Sequence, residues 1–126
     1  MFLIRRIADP RLSGRICQSF GVDAPGAFAY GAFQNDNVLA TAVFLTGAGG
    51  NVTLCGVDTG RRTDIGLIDG MARAAFSAQR KCGARTGQLG DKLTDEVRLA
   101  LTKLGYAERE PFDLAAFFAK KACCGR

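Results

Sequence analysis

The sequence predicts one α/β domain over residues 1–126, a mixed and mostly antiparallel sheet flanked by helices. Three stretches carry that expectation. Ala27 to Gln34 and Val38 to Leu45 are apolar runs joined by Asn35-Asp36-Asn37, residue types that tolerate the left-handed backbone of a tight turn, so they predict a hairpin. Asp64 is a good N-cap, and beyond it Asp69, Arg73, Ser77 and Arg80 recur at spacings of three and four around a broad apolar face, the pattern of a long amphipathic helix. Thr94 caps a second helix with Asp95 and Glu96 in its first turn and Lys103 in its last, which suits the helix dipole.

The remaining elements follow in order. Phe2 to Ile7 reads as a short strand ended by Asp9-Pro10, and Arg11 to Phe20 as a helix with Leu12, Ile16 and Phe20 on one face. After the hairpin, Gly47 to Asn51 is a turn and Val52 to Val57 a strand. Gly56 interrupts that strand, which predicts a bulge or a close approach to its backbone. The long helix ends at Gly83, Arg85 to Leu89 is a short strand, and the second helix buries Val97, Ala100, Leu101 and Leu104 before Gly105 closes it. Pro111 suits the first turn of a last short helix over Phe112 to Lys121, although its apolar residues also fit a strand.

Composition narrows the function classes. At 48% hydrophobic and 23% charged residues the chain is globular rather than disordered. No apolar run approaches the ~20 residues of a membrane span, and Met1 to Pro10, with Arg5 and Arg6 inside its apolar stretch, is not expected to act as a signal peptide. Histidine is absent and the five cysteines contain no CxxC, so no metal is expected, and reduced thiols point to the cytoplasm. The adjacent Cys123 and Cys124 are the redox candidates. Net charge is +5, and only Arg5, Arg6, Arg11 and Arg15 precede Gly60 among 17 Lys and Arg. That asymmetry suits a small anionic partner such as a nucleotide or CoA. Without a nucleic-acid motif or an aromatic stacking platform, no nucleic acid is expected.

Two motifs at matching spacing sharpen this. Val57-Asp58-Thr59-Gly60 runs into Arg61-Arg62-Thr63-Asp64-Ile65-Gly66 at the start of the long helix, and the second helix ends Leu101-Thr102-Lys103-Leu104-Gly105-Tyr106. Both resemble the GCN5-related N-acetyltransferases (GNAT), whose fourth strand leads into Gln/Arg-x-x-Gly-x-Gly/Ala and whose next helix commonly ends Tyr-x-x-Leu-Gly-Phe. In layout the resemblance covers roughly residues 27 to 106. It implies the GNAT fold, acetyl-CoA as cofactor, and a small amine or a peptide amine as acceptor. Val57, Arg61, Arg62, Ile65, Gly66 and Leu67 would hold the cofactor, Arg98 or Lys103 would add charge, and Asp58 stands where a base is kept.

The same loop departs from the family. Asp64 replaces the first glycine, and a carboxylate about 4 Å from a phosphate charge costs on the order of 4 kcal/mol at an effective dielectric of about 20. The helix end returns only about 1 kcal/mol. Leu101 also replaces the tyrosine that often serves as acid to the CoA thiolate. The alternative reading is therefore a relic of the fold serving as a dimeric or partner-binding module. A homodimer is expected on either reading, from an apolar tail at Phe112 to Phe118 that so small a core leaves unaccounted for.

Overall fold

The computed structural model describes residues 2–124, with side chains described for residues 2–119. Its elements are β1 (Leu3–Arg6), α1 (Pro10–Ser19), β2 (Ala27–Gln34), β3 (Asn37–Gly47), β4 (Asn51–Asp58), α2 (Ile65–Lys81), β5 (Thr86–Leu89), α3 (Asp95–Lys103), β6 (Phe112–Asp113) and α4 (Leu114–Cys124), with a short 3-10 turn at Ala48–Gly50. The six strands lie side by side in chain order. Every pairing is antiparallel except β4 with β5, which α2 connects as a crossover and which is parallel. The mixed, mostly antiparallel sheet expected from the sequence is present.

Local chemistry sets the boundaries. Asp9 accepts a hydrogen bond from the Arg11 amide at 3.0 Å and Pro10 opens α1, so the residues that end β1 also start the helix. The β2–β3 turn rests on Asn35, the one non-glycine residue with positive φ (58°) among those described. Asp64 caps α2 by accepting from the Leu67 amide at 3.1 Å, and Thr94 caps α3 through the Val97 amide at 3.3 Å.

Strand alternation separates two layers. Phe28, Tyr30, Ala32, Ala42, Phe44, Val52 and Leu54 face α2, whose Ile68, Met71, Ala72, Ala75 and Phe76 are buried against them. Ala29 and Val43 face the other way, with Ile7 and with Cys17 of α1. Phe76 links the aromatic residues of the α2-side layer, meeting Phe44 edge-on at 5.8 Å and Phe112 at 5.6 Å between ring centroids.

The tail differs from the expectation. Instead of a helix from Phe112 alone, Phe112–Asp113 first pairs with β5 and the helix begins at Leu114. Leu114 and Phe117 are buried in the α2-side core, where Phe117 packs at 4.8 Å on Tyr106. The apolar tail thus covers its own sheet, which removes the argument on which the homodimer rested. Cys17 is buried, Cys55 half-buried and Cys82 exposed, all as free thiols, while Cys123 and Cys124 lie outside the described side chains. Among the described residues no helix is long and apolar enough to cross a membrane.

Phe76→Ala should cost about 3–5 kcal/mol, the range for deleting a buried aromatic ring. Urea unfolding with an unchanged slope and a lower midpoint is the expected readout.

Candidate functional site

The site begins where two strands part. The parallel ladder of β4 and β5 ends at Leu54 and Leu89, and the Gly90 amide makes one more bond to the Leu54 carbonyl at 2.8 Å. On its other side β4 pairs Leu54 with Phe44 and Gly56 with Val43, leaving Cys55 as the extra residue of a bulge. From Gly56 to Asp58, β4 has no strand neighbour on its β5 side among the described residues. The chain after β5 turns away into α3. The bulge foreseen at Gly56 is there, and so is the close approach: a Cβ on Gly56 would stand 2.5 Å from Cδ1 of Phe20 at the end of α1. Gly90 is as constrained, since its Cβ would meet the Leu54 carbonyl at 2.8 Å.

The fork opens into a cleft of about 230 Å³. Val57 and Asp58 form one wall with Thr59, Gly60 and Thr63 of the following loop, and Lys92, Thr94 and Glu96 form the other. A second cleft of about 360 Å³ lies across the fork, between the α1–β2 loop and the turn after β5. The two share only Cys55 and Lys92. Burial raises the pKa of the Cys55 thiol, and the Lys92 ammonium opposes it.

The loop between β4 and α2 is tied to itself. Asp58 Oδ1 accepts from the Gly60 amide at 2.9 Å. Thr59 Oγ1 donates to the Arg62 carbonyl at 2.6 Å and accepts from the Asp64 amide at 3.0 Å. The Thr63 hydroxyl donates to Glu96 Oε1 at 3.2 Å, a bridge from this loop to the first turn of α3. With Leu67 bound to Asp64, three amides of the stretch from Gly60 to Leu67 already have side-chain oxygen partners, on Asp58, Thr59 and Asp64. Arg61 and Arg62 are exposed and take part in no ion pair among the described residues.

Of the residues named from the sequence, Val57 and Asp58 line the cleft, whereas Arg61, Arg62, Ile65, Gly66 and Leu67 lie on the adjoining loop and helix start, outside its lining. Gly66 is exposed, and a Cβ there would meet only Asp64 Oδ1, at 3.4 Å. Arg98 is a correction. It is 3% exposed and donates through Nη1 to the Glu108 carbonyl at 2.8 Å and through Nη2 to the Gly90 carbonyl, so it pins α3 to the fork and faces no anion. Lys103 is at the far end of α3. Leu101 is fully buried, and Tyr106 donates to Asp69 at 2.8 Å, burial first and that carboxylate second holding its phenol far above the ordinary range. Lys92 went unread because Gly90-Asp91-Lys92 has the composition of a solvated turn. Asp64→Ala should lower stability by about 1 kcal/mol through the lost cap, and Asp64→Asn should not, as thermal unfolding would report.

No protein-family model matches the sequence, and no curated protein does. Solved structures do match in three dimensions. The ribosomal-protein-S18-alanine N-acetyltransferase of Escherichia coli superposes with a TM-score of 0.61 over 83% of this chain and 77% of its own, at 16% identity. A Bacillus subtilis acetyltransferase, solved in complex with CoA, gives 0.60 over 82% and 74% at 16% identity. A GNAT-family acetyltransferase of Staphylococcus aureus gives 0.55 over 82% and 80% at 10% identity. At these identities the likeness establishes the fold, and the fold is that of the GNAT acetyltransferases.

Proposed function

We propose that the protein is an acyl-CoA-dependent N-acetyltransferase that holds its donor in the β4–β5 fork and acts on a small amine or a peptide amine. The observation that carries this reading is the fork itself, a parallel pair pried apart by a bulge so that Gly56 to Asp58 offer an open strand edge. An extended chain of amides, such as the pantetheine arm, adds to such an edge as a further strand. At its mouth the start of α2 brings the positive end of a helix dipole, and exposed Arg61 and Arg62 supply forks of donors for phosphate oxygens. Val57 would line the arm, while Ile65, Gly66 and Leu67 would present the helix end. When bound, acyl-CoA supplies an activated acyl group. The chain's own part is to orient it and exclude water, with Asp58 at the cleft wall taking the ammonium proton directly or through water.

The second reading, a non-catalytic partner-binding module, has one specific observation in its favour. Asp64 occupies the α2 terminus with its own carboxylate, and the Thr63–Glu96 bridge spans the loop and α3. An incoming phosphate would have to compete with a charge already seated there.

Calorimetric titration with acetyl-CoA separates the two. On the enzyme reading the wild type binds weakly, and Asp64→Asn, which keeps the cap, tightens binding about tenfold, less than the unscreened Coulomb term because the loop is open to solvent. Arg61→Ala and Arg62→Ala each weaken it severalfold, more at low salt. Absence of binding at millimolar acetyl-CoA in both wild type and Asp64→Asn would overturn the proposal in favour of the module.

A further inference from the structure

Acyl transfer from a thioester leaves charge on sulfur. The amine attacks as its free base and forms the N–C bond, the C–S bond breaks, and its electron pair departs on sulfur. The proton shed as the amine becomes an amide is the one sulfur finally takes up through solvent. Something in the site has to stabilise the thiolate in the meantime. The sequence position at which the resemblance expects a tyrosine is Leu101, fully buried, and the hydroxyl of Tyr106 is committed to Asp69.

The charged and titratable groups lining the two clefts are few. Asp58 and Glu96 line the first, Asp23 and Asp91 the second, and Cys55 and Lys92 both. Asp58 is engaged by the Gly60 amide and Glu96 by the Thr63 hydroxyl. Lys92 is the only cation among these lining residues. Its place is at the junction, and Nζ would stand 3.1 Å from a Cβ on Gly21, so the side chain lies back across the fork towards the end of α1. The bulge is where the open edge of β4 begins, hence where the reactive end of an extended donor meets the second cleft. The one sulfur now at that junction, Cys55, already feels the ammonium.

We propose that Lys92 is the charge that receives the departing thiolate, a role resting on the acyl-CoA reading above. Its chemistry is electrostatic. The ammonium keeps its charge and the product thiolate is held beside it as an ion pair.

The test follows the thiol of bound CoA by its ultraviolet thiolate absorbance across pH, with desulfo-CoA as a ligand that lacks the sulfur. In the wild type the bound thiol should ionise about one pH unit lower than in free CoA. Lys92→Met should return it to the free value and slow single-turnover transfer about tenfold, with desulfo-CoA affinity unchanged, whereas Lys92→Arg should keep the lowering. A lowering that is absent, or that survives in Lys92→Met, overturns the role of Lys92 and leaves the donor site standing. So does mass-spectrometric acetylation of Lys92 by acetyl-CoA, since an amide carries no charge. If neither CoA nor desulfo-CoA binds the wild type, the acyl-CoA reading fails and this inference fails with it.

Discussion

A parallel pair of strands stays together only while its ladder is in register, and between β4 and β5 that register runs out at Leu54 and Leu89. The cause lies on the far side of β4, where Cys55 is one residue too many for β3. An inserted residue bends and twists its strand locally. β4 keeps its pairing with β3 through Asp58, so the only direction left for the mismatch is away from β5. The open edge, the two clefts and the position of Lys92 all follow from that geometry. The fork is braced from three sides: Phe20 fills the space a side chain at Gly56 would need, Gly90 lets the departing chain pass against Leu54, and buried Arg98 ties α3 to the Gly90 carbonyl. A rigid fork is what a binding site requires, because a groove that closes when empty would charge its reopening against every ligand.

The mouth of the cleft obeys a different constraint. A helix of 17 residues needs an N-cap, and Asp64 provides one with good geometry. The same carboxylate lowers the potential at the point where the fold otherwise offers its best anion site. Stability and anion affinity therefore pull on one residue in opposite directions, and the exposed arginines beside it are the available counterweight.

Features decided by near neighbours in sequence were legible there. The Asn35 turn, the limits of α2 and the irregularity at Gly56 each express a local backbone preference, and the structure has all three. What was illegible depends on residues far apart in the chain. Arg98 carries a charge and sits one residue beyond Val97, so it read as a cation available to a phosphate, yet Val97, Arg98 and Leu101 are the residues that α3 buries. Its burial is affordable because two carbonyls, of Gly90 and Glu108, receive its donors. The tail looked surplus because nothing in its sequence says that Tyr106 and Phe112 leave a socket for Phe117. Lys92 is the same case in reverse, a turn residue given meaning only by a bulge 37 positions earlier in the chain.

The chain-order arrangement of the strands has a consequence for assembly. β2 to β4 form by successive antiparallel pairings between segments close in sequence, which cost little loop entropy and form early. The β4–β5 pairing must wait for the 17-residue α2 to be made and laid across the sheet. During vectorial synthesis the N-terminal meander can therefore collapse while α2 is still emerging, with the right-hand edge of β4 bare. That edge is the most adhesive surface of the nascent chain, an unpaired strand beside an apolar layer. The part of β4 that is later sealed by β5 and the part that stays open are one continuous edge at that moment. The bulge at Cys55, by twisting the second part out of line, keeps β5 from zipping past Leu54.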